Sequence, residues 1–145
     1  MDASIYRTVH QIGLSKKDID RVFRALEKTF EIPSWHVVVH VVGTERMRGL
    51  NRTHRGKDCP TDVLSFPTEP WTDNFVSSDD DLGDVFLCPR VITRQAREHG
   101  ISSREEHVRM LTHGILHLLG FDHVKKNDAD MMFAVQEDIV GKCSV

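Results

Sequence analysis

The sequence predicts an α+β fold, and three observations carry that expectation. A β-branched run lies in the first third of the chain, two short apolar stretches ended by proline follow it, and the second half is dominated by apolar residues at helical spacing. Strand signals that come early and helix signals that come late fit a small mixed sheet with helices packed on it better than a doubly wound sheet. The 145 residues, 39% hydrophobic and 28% charged, suffice for one domain, 1–145, with a real core.

The elements follow in order. Ser15 and Asp18 resemble a capping box, after which Ile19, Val22, Phe23, Leu26 and Phe30 recur at helical spacing until Pro33 stops the pattern. Trp35 to Val42 sets His36 and His40 on one face against Val37, Val39 and Val41 on the other, which is a strand pattern. Thr44 is read as the cap of a short helix. Asp62 to Phe66, ended by Pro67, and Leu82 to Cys88, ended by Pro89, are two more strands. Between them, Glu69 to Asp84 is acidic and turn-rich and reads as a mobile surface loop. Pro89 and Arg90 open a helix that runs to His99 and stops at Gly100; Ser103 with Glu106 caps the next, Arg104 to Leu119; Asn127 caps a last one to Val140.

Composition narrows the function. No stretch reaches the ~20 apolar residues that span a bilayer, and the N-terminus lacks a charged segment followed by an apolar run, so a soluble, cytoplasmic protein with no membrane partner is expected. The three cysteines, Cys59, Cys88 and Cys143, are far apart and form no C-x-x-C pair, which suits reduced thiols. A net charge of -3 means that any nucleic-acid partner must be attracted by local charge.

The segment His113-Gly-Ile-Leu-His117-Leu-Leu-Gly-Phe-Asp-His123 carries the chemistry. At about 100° per residue, His113 and His117 stand one turn apart on one helix face, opposite the apolar side that Leu111, Ile115, Leu118 and Leu119 make. Gly120 supplies a left-handed stop that turns His123 back towards them. Three imidazoles and a water make the open tetrahedral zinc site of a catalytic ion. Nine histidines in the chain make a lone one unremarkable, but three with a glycine at these offsets are not a chance arrangement. Asp122, beside the third ligand, is read as a group that orients a histidine, as a base, or as a turn former.

The same spacing occurs in metzincin peptidases, which makes a zinc peptidase one hypothesis. Those enzymes need a glutamate directly after the first histidine, and here Gly114 stands there, unable to move a proton. Arg46 to Lys57 is the second informative segment, with Arg46, Arg48, Arg52, Arg55 and Lys57 and no acid among them. As a basic loop anchored at a sheet edge it would offer planar guanidinium forks to phosphate oxygens; as a solvated face it would do nothing specific. Trp71 and Phe75 are candidates for stacking on bases.

These residues resemble the YbeY endoribonucleases, whose signature His-Gly-x-Leu-His-Leu-x-Gly-Tyr-Asp-His reads here from His113 to His123 with Phe121 for the usual tyrosine. Asn51 to Asp58 followed by Pro60 to Pro67, Leu82-Gly-Asp-Val85, and the late Met132 and Glu137 extend the match to most of the chain. The resemblance implies a metal-dependent, single-strand-selective RNA hydrolase working on ribosomal RNA and ribosomal particles, in maturation and quality control. It also implies a small mixed four-stranded sheet packed with about five or six α-helices, the metal site lying on a C-terminal helix. Zinc, one ion, would be held by His113, His117 and His123, and Arg55 would contact the substrate, with Arg52 and Lys57 beside it. Arg55 and His117 are thus the expected catalytic pair. Two readings stand beside the nuclease: the zinc peptidase, and a ribosome-assembly factor that cuts nothing.

Overall fold

The computed structural model describes residues 2–9, 13–31, 35–68, 81–121 and 126–143. Among the described residues, four strands and five helices follow one another as β1 (Asp2–Arg7), α1 (Lys16–Phe30), β2 (His36–Val41), α2 (Thr44–Arg55), β3 (Val63–Pro67), β4 (Asp81–Leu87), α3 (Pro89–His99), α4 (Ser103–Leu118) and α5 (Lys126–Cys143). The sheet runs β1-β2-β4-β3. β1, β2 and β4 are parallel, while β3 returns antiparallel beside β4, pairing Val63 with Leu87 and Phe66 with Asp84. The expected mixed four-stranded α+β architecture is therefore the observed one.

Alternation along the strands divides the protein into two packed layers. Val37, Val39, Val85 and Leu87 point into the main core, where they meet Val22, Phe23 and Leu26 of α1, Leu111, Ile115 and Leu116 of α4, and Met132 and Ile139 of α5. The opposite face sends Leu64 and Phe86 into a smaller cluster with Met47 of α2 and Val91 of α3. α4 is central, lying against β3, β4, α1, α3 and α5. It is buried on more than one side, so residues such as Gly114 and Leu116 that fall off the main apolar stripe are also enclosed.

Several boundaries differ from the sequence expectation. Ser15 and Asp18 form the full capping box, and Pro89 and Gly100 bracket α3 as expected, Gly100 adopting φ 67°. However, Gly43 is the cap of α2 and Thr44 its first residue. Ser102 caps α4, accepting from the Glu105 amide, one residue earlier than expected because the Ser-x-x-Glu pattern fits two registers. α5 begins at Lys126, one residue ahead of Asn127. The basic segment Arg46–Lys57 is mostly helix and not a loop; β4 starts at Asp81, one residue ahead of the expected Leu82, so the strand reading holds where it overlapped the expected acidic loop, whose residues 69–80 lie outside the described residues. β1 has no counterpart in the sequence expectation. Trp71 and Phe75 lie outside the described residues.

Candidate metal centre and its cleft

The helical spacing brings His113 and His117 together as the sequence implies. Their Nε2 atoms are 3.1 Å apart and their rings stand at 84°. What each ring does with its other nitrogen decides what this closeness means. His117 Nδ1 lies 2.9 Å from the Phe121 carbonyl oxygen, and His113 Nδ1 lies 2.8 Å from the Gln136 amide oxygen. A carbonyl oxygen only accepts, so both Nδ1 atoms carry the proton and both Nε2 lone pairs face each other. Two converging lone pairs repel unless a cation sits between them. Two nitrogens bound at 2.0–2.1 Å in a tetrahedron stand about 3.3 Å apart, close to the spacing here, so the pair fits a zinc ion.

The Gln136 amide is itself fixed. Its nitrogen donates to Glu137 Oε2 at 3.0 Å, which leaves its oxygen to accept from His113. Glu137 in turn takes a forked pair of bonds from Arg109, at 2.9 and 3.0 Å, and Arg109 also reaches Glu106 at 3.2 Å. The bond to Glu137 holds the Arg109 guanidinium charged, while that same bond, against the opposing effect of burial, holds the Glu137 carboxyl below the usual range. The relay Arg109, Glu137, Gln136, His113 thus ties α5 to the histidine helix. Sequence reading missed Gln136. Its signal was a polar residue on the buried stripe of α5 that Met132, Ile139, Val140 and Cys143 define.

The glycines of the signature take two different parts. Gly120 has φ 97°, the left-handed region expected of the helix stop, and its amide donates to the His117 carbonyl. Gly114 is pressed against the sheet: a Cβ there would lie 2.8 Å from Val85 and 3.0 Å from Ser65 Oγ, and Ser65 donates to the Gly114 carbonyl at 2.8 Å. The position faces β3 and β4 at contact distance. A metzincin-type glutamate would have no room there. Phe121, the tyrosine replacement, packs its ring edge-on to Phe30 at 5.8 Å, so the aromatic contact survives the lost hydroxyl.

The two histidines open onto a cleft of about 560 Å³ lined also by Arg55, Asp62, Ser65, Pro67, Met110, Phe133 and Gln136. Arg55 arrives from the last turn of α2, which Gly56 ends at φ 71°. Asn51, buried on the same helix, donates to the Cys59 carbonyl at 2.8 Å and so fixes the path from α2 into β3. Of the other basic candidates, Arg52 pairs with Asp58 at 3.5 Å, alongside the shorter Arg48 bonds to that carboxylate, and Lys57 is exposed beyond the helix end. Asp58 is the acid just past the basic run, and it neutralises part of it. His123 and Asp122, expected as the third ligand and its neighbour, lie outside the described residues. Among the described residues no group of three potential ligands converges.

An α+β frame that presents a histidine pair and an arginine to one cleft holds the parts that metal-assisted hydrolysis of a phosphodiester uses. A family model described as Endoribonuclease YbeY matches residues 6–144, and the chain belongs to that family and is a hydrolase. It is 37% identical to the Endoribonuclease YbeY of Halorhodospira halophila over 94% of this chain and 90% of that one. The Sulfurihydrogenibium protein of the same name is 36% identical, over 95% and 90% of the two chains. A solution structure of a Thermotoga maritima protein superposes with a TM-score of 0.63 at 31% identity, covering 97% of this chain and 89% of that one.

Proposed function

We propose that this chain, as one domain, is a zinc-dependent endoribonuclease selective for single strands, acting in the cytoplasm on ribosomal RNA and ribosomal particles during maturation and quality control. The observation that carries this reading is the convergence of the His113 and His117 Nε2 lone pairs at 3.1 Å on the cleft that Arg55 also lines. His113, His117 and His123 would hold the ion, and Asp122 would orient a ligand. Bound there, zinc would act as a Lewis acid towards a phosphate oxygen or a water. Arg55, in the last turn of α2 and lining the cleft, faces the scissile phosphate and offsets the charge that grows on it. Arg52 and Lys57 would guide the flanking backbone. With Gly114 turned to the sheet, either a water or the neighbouring 2'-hydroxyl serves as nucleophile.

The test combines metal analysis with cleavage of an unstructured RNA. Wild type should hold one zinc and cut; Arg55→Ala should keep the zinc and lose cleavage; His117→Ala should lose both. Cleavage that persists in both variants belongs to a contaminant. Turnover of peptides sensitive to a hydroxamate would replace this reading with the peptidase, and ribosome binding with no turnover of any substrate would replace it with the assembly factor.

A further inference from the structure

We infer that Phe133 is a nucleobase-stacking platform of the cleft, taking one unpaired base of the RNA whose phosphate Arg55 receives; the inference rests on the RNA-cleaving reading above. α5 buries Met132, Gln136, Ile139 and Val140 on one stripe, and Phe133 falls beside it. Phe133 remains 45% exposed, and it lines the cleft with Arg55, His113 and His117. An aromatic ring left this open forfeits much of the gain that burial would bring. Its plane is 25° from that of His113, with centroids 6.4 Å apart, so the ring lies beside the histidine that faces the reacting group, nearly parallel to it.

A cleft that binds single strands combines cationic groups for the backbone with aromatic faces for the bases. Arg55 supplies the first and Phe133 the second. Because a base inside a duplex is already stacked on both faces, only an unpaired one can offer a face to Phe133. The ring therefore gives the cleft a physical means of preferring single strands, without reading base identity.

The experiment uses the full chain, zinc-loaded and zinc-free, with a short unstructured RNA carrying 2-aminopurine beside the cut site. Wild type should quench the 2-aminopurine. Phe133→Ala should abolish the quench and weaken RNA binding about tenfold, the effect falling on KM more than on kcat. Phe133→Trp should restore both, and Phe133→Leu, apolar without a π face, should restore neither. Zinc affinity, measured by chelator competition, should be the same in all four proteins. Binding by Phe133→Ala or Phe133→Leu equal to wild type overturns the inference, as does zinc loss parallel to the binding loss, which would make the ring a prop for His113. A Phe133-dependent quench in a protein that cuts no RNA would keep the platform and sink the nuclease; normal cleavage with an unmoved KM in Phe133→Ala would do the reverse.

Discussion

At the scale of single residues, the direction in which His113 points its lone pair depends on an amide presented by the neighbouring helix α5. Gln136 accepts the Nδ1 proton at 2.8 Å and so selects the tautomer that leaves Nε2 for a metal. Replacing Gln136 by Leu removes that acceptor, and zinc affinity is expected to fall about 10- to 100-fold with the fold retained. Gln136→Glu keeps an acceptor oxygen and should lose much less. Chelator competition measures both, and equal affinities in wild type and Gln136→Leu would refute the relay. The histidine pair was legible in the sequence because helical geometry fixes what residues i and i+4 can share. Gln136 and Phe133 were not, because their parts come from how α5 docks on α4, which no local spacing encodes.

At the scale of elements, α4 is held at a distance from the sheet that only a glycine allows. Gly114→Glu, which would complete the peptidase signature, drives a side chain into Val85 and Ser65. It is expected to cost at least 1–3 kcal/mol and to yield no peptidase activity, read from the urea midpoint and a peptide assay. At the other end of the fold, Ser15 both donates to Asp18 and accepts from its amide. Ser15→Ala should therefore cost about 1 kcal/mol. Caps and proline stops were readable to within a residue because they are local hydrogen-bond problems. β1 was not readable: six residues alternate Ala3 and Ile5 towards the core with Ser4 and Tyr6 away from it, and only pairing with β2 makes that short pattern a strand. The short helix expected after Thr44 extends through the basic run to Arg55, because arginine is a good helix former and no proline interrupts it before Gly56.

Across the whole molecule, protonation opposes folding at one enclosed point. His107 is 2% exposed; its Nδ1 donates to the Ser103 carbonyl at 2.7 Å, and among the described residues its buried Nε2 has no hydrogen-bond partner. Burial pushes its pKa down, against the smaller upward effects of the Ser103 bond and Glu106. An unfolded histidine titrates near about 6.5, so the unfolded chain binds the proton more readily. Stability should be complete above that pH and decline as the pH falls below it. Urea titrations at a series of pH values should show this decline weakened in His107→Leu, and an identical slope in both proteins would contradict it.

The cleft draws Arg55 from α2, Ser65 from β3, the histidines from α4 and Phe133 from α5. The eighteen-residue α5 thus closes one wall of the cleft, bringing Phe133 and Gln136 to residues that precede it in the chain by many turns. Chains truncated before residue 126 lack Phe133 and the Gln136 acceptor of His113, and should leave RNA intact; cleavage by such a truncated chain would show that α5 is dispensable to the cleft.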